Sequence, residues 1–278
     1  LKISTLLLVG IFTVCFCNAQ ESLTPINPSN TFPSFQLQKK IKGHFTYCNV
    51  DALGFMYLMR NDQLIKFNPK GDSIAAFNDV YQYGKPSYID VTNPLKNLVL
   101  YQPYGIITTL DRLLNPRNNI SLRSLQLLQV NAAAVSYDNQ IWIFDEQNFV
   151  IKKIDDRGNT LLTTADVRVL TSDAPTATAI FDHQQQLYLY DENKGIYIFD
   201  LYGGYKKMIA IPNWKGISFY NNIVFGMHDG QLMMMDLNTQ IEKTITLPFP
   251  NQQIISVSVA NRNCYVLTND GLSIFQMD

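Results

Sequence analysis

The 278 residues include 22 Lys and Arg against 23 Asp and Glu, a formal net charge of −1 with only 16% charged residues. This balance excludes a basic nucleic-acid footprint and an acidic polyelectrolyte surface. The 15 Tyr and 16 Phe, with 14 Gly and 12 Pro spread as turn punctuation, are the composition of an ordered, strand-rich protein with enough length for a full core.

The chain opens on Lys2 and an apolar run from Ile3 to Val14, closing at Asn18-Ala19-Gln20. The run is short for a membrane span and ends on a small residue, so it reads as a Sec signal peptide over residues 1–19. Val14 and Phe16, not small residues, precede Cys15 and Cys17, which argues against lipid attachment. The expected mature chain starts near Gln20, has no transmembrane segment, and is periplasmic, surface-bound or secreted. Residues 20–33, with Pro25, Pro28 and Pro33, read as disordered or linker, and residues 34–278 as one folded domain.

A strand-like run at Phe35–Ile41 comes first. A hairpin pattern, two aromatic and β-branched strands around a short polar turn, then recurs six times. The copies are Phe55–Met59 with Gln63–Phe67, Asn97–Tyr101 with Ile106–Leu110, and Gln140–Asp145 with Phe149–Ile154. They continue as Gln186–Asp191 with Gly195–Phe199, Asn222–Phe225 with Gln231–Met235, and Asn263–Leu267 with Gly271–Phe275. Aligned on Tyr57, Val99, Trp142, Tyr188, Val224 and Tyr265, they are spaced 42, 43, 46, 36 and 41 residues apart, the period of a four-stranded propeller blade.

An extended run precedes each hairpin and supplies an inner strand: Thr46–Val50, Tyr88–Val91, Ala132–Val135, Ala177–Phe181, Ile217–Phe219 and Ile254–Val259. In the fourth, Phe181-Asp182-His183-Gln184 reads as the hairpin turn. Outer strands are legible at Ser73–Phe77, Thr160–Thr163 and Tyr205–Ile211, each after a turn containing glycine. The longest stretch between blades, Leu113 to Asn131, has apolar spacing over Ser121–Leu128 that permits one short helix, a packed cap or docking element. The last copy has no outer strand of its own. The prediction is an all-β fold, a six-bladed β-propeller of four-stranded antiparallel blades, with the last blade closed by Phe35–Ile41.

The pattern Asp51-Ala52-Leu53-Gly54-Phe55-Met56-Tyr57 with Leu64-Ile65-Lys66-Phe67-Asn68-Pro69-Lys70-Gly71 resembles an NHL-type or TolB-like blade. The whole mature chain resembles exported six-bladed propellers of Bacteroidota. The resemblance implies fold and an exported setting, and it carries over no catalytic residues.

In such a fold the loops from second to third strand share one face with the loops between blades. The first set presents Arg60, Tyr104, Asp145, Asp191, His228, Asp229 and Asp270, and the second Tyr81, Tyr83, Trp214 and Phe249. Polar turn residues beside loop aromatics suit a protein or glycan of the cell envelope docking on this rim. A non-enzymatic binding or scaffold propeller is therefore the first expectation. The alternative is a divalent-ion-dependent hydrolase or lyase of lactonase type, with calcium held by inward Glu, Asn and Asp residues; Asn131 and Asp182 are its first candidates. No catalytic motif or metal-ligand spacing stands in the sequence, since His44, His183 and His228 lie far apart and Cys48 and Cys264 read as buried free thiols.

Overall fold

The computed structural model describes residues 33–247 and 254–277. The signal-peptide reading, the expected start at Gln20 and Phe249 lie outside them. In chain order, β1 (Phe35–Lys42) is followed by blade 1, formed by β2 (Tyr47–Val50), β3 (Met56–Arg60), β4 (Gln63–Phe67) and β5 (Ser73–Phe77). The short helix α1 (Val80–Tyr83) leads to blade 2: β6 (Tyr88–Asp90), β7 (Lys96–Tyr101), β8 (Ile106–Asp111) and β9 (Pro116–Ser121). Blade 3 is β10 (Val130–Val135), β11 (Ile141–Asp145), β12 (Val150–Ile154) and β13 (Thr160–Thr163), and α2 (Val167–Thr171) links it onward. Blade 4 is β14 (Ala179–His183), β15 (Gln186–Asp191), β16 (Gly195–Asp200) and β17 (Tyr205–Ala210). Blade 5 is β18 (Lys215–Tyr220), β19 (Ile223–His228), β20 (Gln231–Asp236) and β21 (Glu242–Ile245). Blade 6 is β22 (Ile254–Ala260), β23 (Asn263–Thr268) and β24 (Gly271–Met277), completed by β1.

The closure is antiparallel, running from Phe35 opposite Met277 to Lys42 opposite Gly271 with one bulge between Leu37 and Lys39. The edge of β24 is thereby paired. Most of β1 faces solvent, and Ile41 packs into the core shared by blades 6 and 1, against Cys48, Leu58, Leu267, Leu272 and Ile274. Similar seams join blades 1 and 2, 2 and 3, 3 and 4, and 4 and 5; Trp142, Phe144 and Ile151 of blade 3 meet Ile180, Leu187 and Leu189 of blade 4. Cys48, in the seam of blades 6 and 1, and Cys264 of blade 6 are buried free thiols.

The outer hairpins of blades 2, 3 and 4 share one turn design. Asp111, Asp155 and Asp200 each accept backbone N–H groups from the residues two and four positions on, at 2.8–2.9 Å. The residue between those donors must adopt positive φ, which Gly158 (+86°) and Gly203 (+88°) do freely. Blade 2 places Leu114 there at +61°, and this absent glycine hides the turn from sequence reading. The first part of the Leu113–Asn131 stretch is thus the outer strand β9, which the sequence reading missed, and the short helix permitted within Ser121–Leu128 is a single 3-10 turn at Arg123–Leu125. Pro116 is tolerated because it opens an edge strand, where its missing N–H costs no ladder bond.

A second correction concerns Asp182. Strand β14 runs to His183, and the turn falls on Gln184 and Gln185, both at positive φ. Asp182 and His183 therefore belong to an inner strand rather than to a turn.

Candidate functional site

Each blade is an antiparallel meander, so its first-to-second and third-to-fourth turns lie at one end and its other loops at the opposite end. The inner strands β2, β6, β10, β14, β18 and β22 stand around the axis. Between them lies a cavity of about 440 Å³, lined by residues that include Tyr47, Asn49, Tyr88, Phe181, Asp182, His183, Phe219, Ser256 and Ser258.

An innermost strand has one edge without a partner strand, and its polar groups need other satisfaction. Side chains bridge all six blade junctions, five of them through a bond to a backbone group. The Tyr47 hydroxyl donates to the Ile89 carbonyl (2.7 Å), and Val135 N–H donates to Asp90 Oδ2 (2.6 Å). Asp182 Oδ2 accepts from Ser136 Oγ (2.9 Å), Tyr137 N–H (3.1 Å) and Trp142 Nε1 (3.0 Å). His183 Nε2 lies 2.7 Å from the Asn221 carbonyl, Val259 N–H donates to Ser218 Oγ (2.9 Å), and Ser258 Oγ donates to Asn49 Oδ1 (3.1 Å). These bonds knit the channel wall into a ring, which fixes the cavity's shape.

One wall is aromatic. Phe219 stacks on His183 (5.5 Å between centroids, 28°) and meets Phe181 at 5.1 Å and Tyr188 at 4.6 Å. Because a carbonyl oxygen only accepts, His183 Nε2 is the donor in this bond. The remaining wall is polar, with the hydroxyls and amides of Tyr47, Asn49, Ser256 and Ser258, the Asp182 carboxylate, and Glu192 and Lys215, which lie 3.7 Å apart. Burial, reinforced by the nearby Asp90 charge, pushes the Tyr47 and Tyr88 phenols upward, so both stay protonated donors. Burial also raises the Asp90 carboxyl, against the N–H bonds from Thr92 and Val135.

The inward oxygens are engaged within the wall itself. Asp90 serves Thr92 and Val135, Asn49 Oδ1 serves Val50 N–H and Ser258, and Asp182 Oδ2 serves three donors of blade 3. Among the described residues no group of three or more His, Cys, Asp or Glu side chains is placed to share an ion. Asn131 and Asp182 do not converge. Asn131 sits at the loop-rim end, donating to Glu146 Oε2 (2.6 Å) and accepting from Gln102.

The rim residues are dispersed. Arg60 and Asp270 are exposed on different blades. Asp145 is fully buried and held by Asn148 and Lys152, both at 2.9 Å, and Asp191 is tied to the N–H groups of Thr176 and Asn193 at 2.8 Å. Trp214 is not open to solvent at the rim. It is 3% exposed, lies over Gly226, where a Cβ would come within 2.9 Å of its ring, and its edge lines the channel. His228 and Asp229 face each other at 3.5 Å. Tyr83 and Tyr104, from two different loops, come together at 6.2 Å.

The channel residues Tyr88, His183 and Phe219 were missed as a site because they sit on strands, where aromatic residues read as core. The length of β15, six residues, was the available signal that its partner β14 runs on through His183.

No family model and no curated protein matches the chain. Solved structures do. Virginiamycin B lyase from Staphylococcus aureus, a catalytically inactive histidine-to-alanine form with quinupristin, aligns at a TM-score of 0.56 and 12% identity, over 87% of this chain and 89% of that one. BamB from Moraxella catarrhalis aligns at 0.52 and 10% identity, over 87% and 100%. A Bacteroides thetaiotaomicron protein of unknown function aligns at 0.58 and 10% identity, over 87% and 73%. These likenesses establish a shared β-propeller fold. Among the described residues no helix is long and apolar enough to cross a membrane.

Proposed function

We propose that the central channel is the working site and that it binds a small amphipathic molecule, in a propeller exported to the cell envelope. The observation that carries this reading is the 440 Å³ cavity, with an aromatic wall on one side and, on the other, hydroxyl and amide groups beside Asp182 and the Lys215–Glu192 pair. That volume and lining suit a drug-sized ligand with an apolar face. The junction bonds support it further, since a wall already fixed loses little freedom on binding. The envelope setting rests on the N-terminal sequence.

The probe 8-anilino-1-naphthalenesulfonate tests the reading. Native protein should bind it saturably, Phe219→Ala should weaken binding about ten-fold through the lost stacking, and Ser256→Trp should fill the cavity and abolish it. Equal binding by a normally melting Phe219→Ala protein sinks the proposal.

A second reading, a channel lyase or hydrolase, is favoured by His183. With Nε2 donating to the Asn221 carbonyl, Nδ1 is the ring atom suited to accept a proton from a bound ligand. The fold likeness to a lyase whose inactive form replaces a histidine adds support. Incubation with quinupristin followed by mass analysis tests it. Conversion lost in His183→Ala upholds the reading, and an unchanged mass with the native protein removes quinupristin-type substrates from it.

A further inference from the structure

At the junction of blades 1 and 2, on the loop-rim end, Tyr83 of α1 and Tyr104 of the β7–β8 loop form a braced aromatic step. Tyr83 rests on Tyr101 (5.2 Å between centroids) and beside Tyr104 (6.2 Å), and the Gln82 side-chain amide donates to its hydroxyl (2.6 Å). Tyr101 beneath is 1% exposed, whereas Tyr104 is 50% exposed. The loop holding Tyr104 is fixed on both sides. Arg123 Nη2 donates to the Pro103 carbonyl (2.8 Å), Leu122 N–H to the Gly105 carbonyl (2.8 Å), and Gln102 N–H to Ser87 Oγ (3.2 Å). Gly105, at φ +63°, leaves room for Arg123, whose Cγ lies 3.1 Å from where a Cβ would stand.

Half of a large ring held in water by so many contacts is a preorganised contact surface, because little side-chain or loop freedom remains to be lost on binding. The surrounding chemistry narrows the ligand. The flanking charges Lys85 and Asp62 pair with each other at 2.9 Å, and the Arg123 guanidinium is engaged by the Pro103 carbonyl, so the step is not built around a charge for an ionic ligand. Tyrosine hydroxyls and the amide groups of Gln82 and Gln102 offer neutral donors and acceptors. A flat apolar face beside neutral hydrogen-bonding groups matches a pyranose ring, whose C–H hydrogens meet the negative face of the tyrosine while its hydroxyls reach the polar rim.

We propose that the Tyr83–Tyr104 step is a glycan-binding platform that takes a neutral pyranose unit on the exposed face of Tyr104. It is separate from the channel, and Phe219→Ala leaves it intact.

Native affinity electrophoresis in gels containing soluble mannan, galactan, xylan or dextran reads it directly. The full protein should be retarded by at least one of them, and by the same extent in 0.5 M salt. Tyr104→Ala should lose about ten-fold in association with an unchanged melting temperature, Tyr104→Trp should keep or improve binding, and Phe219→Ala should be retarded like the native protein. No retardation in any of the gels, loss of retardation in salt, or full retardation of Tyr104→Ala each overturns the proposal.

Discussion

Ring closure by β1 predicts a loss out of proportion to the apolar surface of the strand itself. Two chains are compared, one beginning at Ser34 and one at Gly43, the second lacking β1. The side chains of β1 are mostly exposed, so the cost arises in what they cover. Leu272, Ile274, Phe275 and Met277 of β24 are 1%, 7%, 0% and 4% exposed. Uncovering about half of each costs about 4 kcal/mol, at roughly 1.5–3 kcal/mol per fully buried side chain. The lost ladder adds about 3 kcal/mol at the low end of the net value per hydrogen bond. A total of about 7 kcal/mol is a large share of the stability of a domain, and translates to a melting midpoint lower by about 15–25 °C. Circular dichroism melts of both chains under one buffer read it. Midpoints within about 5 °C of each other would mean that blade 6 stands without its fourth strand, and the reasoning on closure would fail.

Gly271 and Gly195 open the third strands of blades 6 and 4 at φ +136° and +134°, where a Cβ would fall 2.2 Å from the Ile41 carbonyl oxygen and 2.1 Å from that of Ile209. Alanine at either should destabilise by about 2–4 kcal/mol in urea titration, and Gly271→Ala should also speed amide exchange along β1. Asp182→Ala strands three donors of blade 3 and should cost about 2–4 kcal/mol, whereas Trp142→Phe, losing one, should cost about 1–2 kcal/mol; equal costs would deny Asp182 its bridging role. Leu114→Gly relieves about 1 kcal/mol of left-handed backbone cost but empties a side chain that is 2% exposed, so a net loss of about 1–3 kcal/mol is expected, and a stabilised variant would refute that order. Burial works against ionisation of Asp111, yet bonds from Asn115, Leu113 and Arg117 bring its carboxyl down to about 2. A folded value below the unfolded one means that its stabilisation is full above about pH 4 and is lost as pH falls toward 2, so Asp111→Asn should flatten the acid limb of a stability–pH curve, and an unchanged limb would contradict the assignment.

The repeat was legible because its signal is local. Alternating aromatic and β-branched runs, Asp and Gly at turns, and a period near 42 residues are visible in Phe55–Phe67 or Gln186–Phe199 without any knowledge of neighbours. The closing strand was legible by count, since the last copy ends without a fourth strand and Phe35–Ile41 had no other role. Where the local signal is replaced, the reading failed: Leu114 stands in a glycine's position, and Gln184-Gln185 turns a hairpin without Gly or Asn. The site could not be read this way, because a channel belongs to no blade. Asp90 meets Val135, Asp182 meets Trp142 and His183 meets Asn221 across 45, 40 and 38 residues of sequence. Only the rotation of each blade onto the next brings these groups within hydrogen-bonding range. By itself the sequence determined the six blades and their order; the tertiary structure decided which polar residues are consumed as mortar between them, and which, like His183 and Tyr104, keep a face for a ligand.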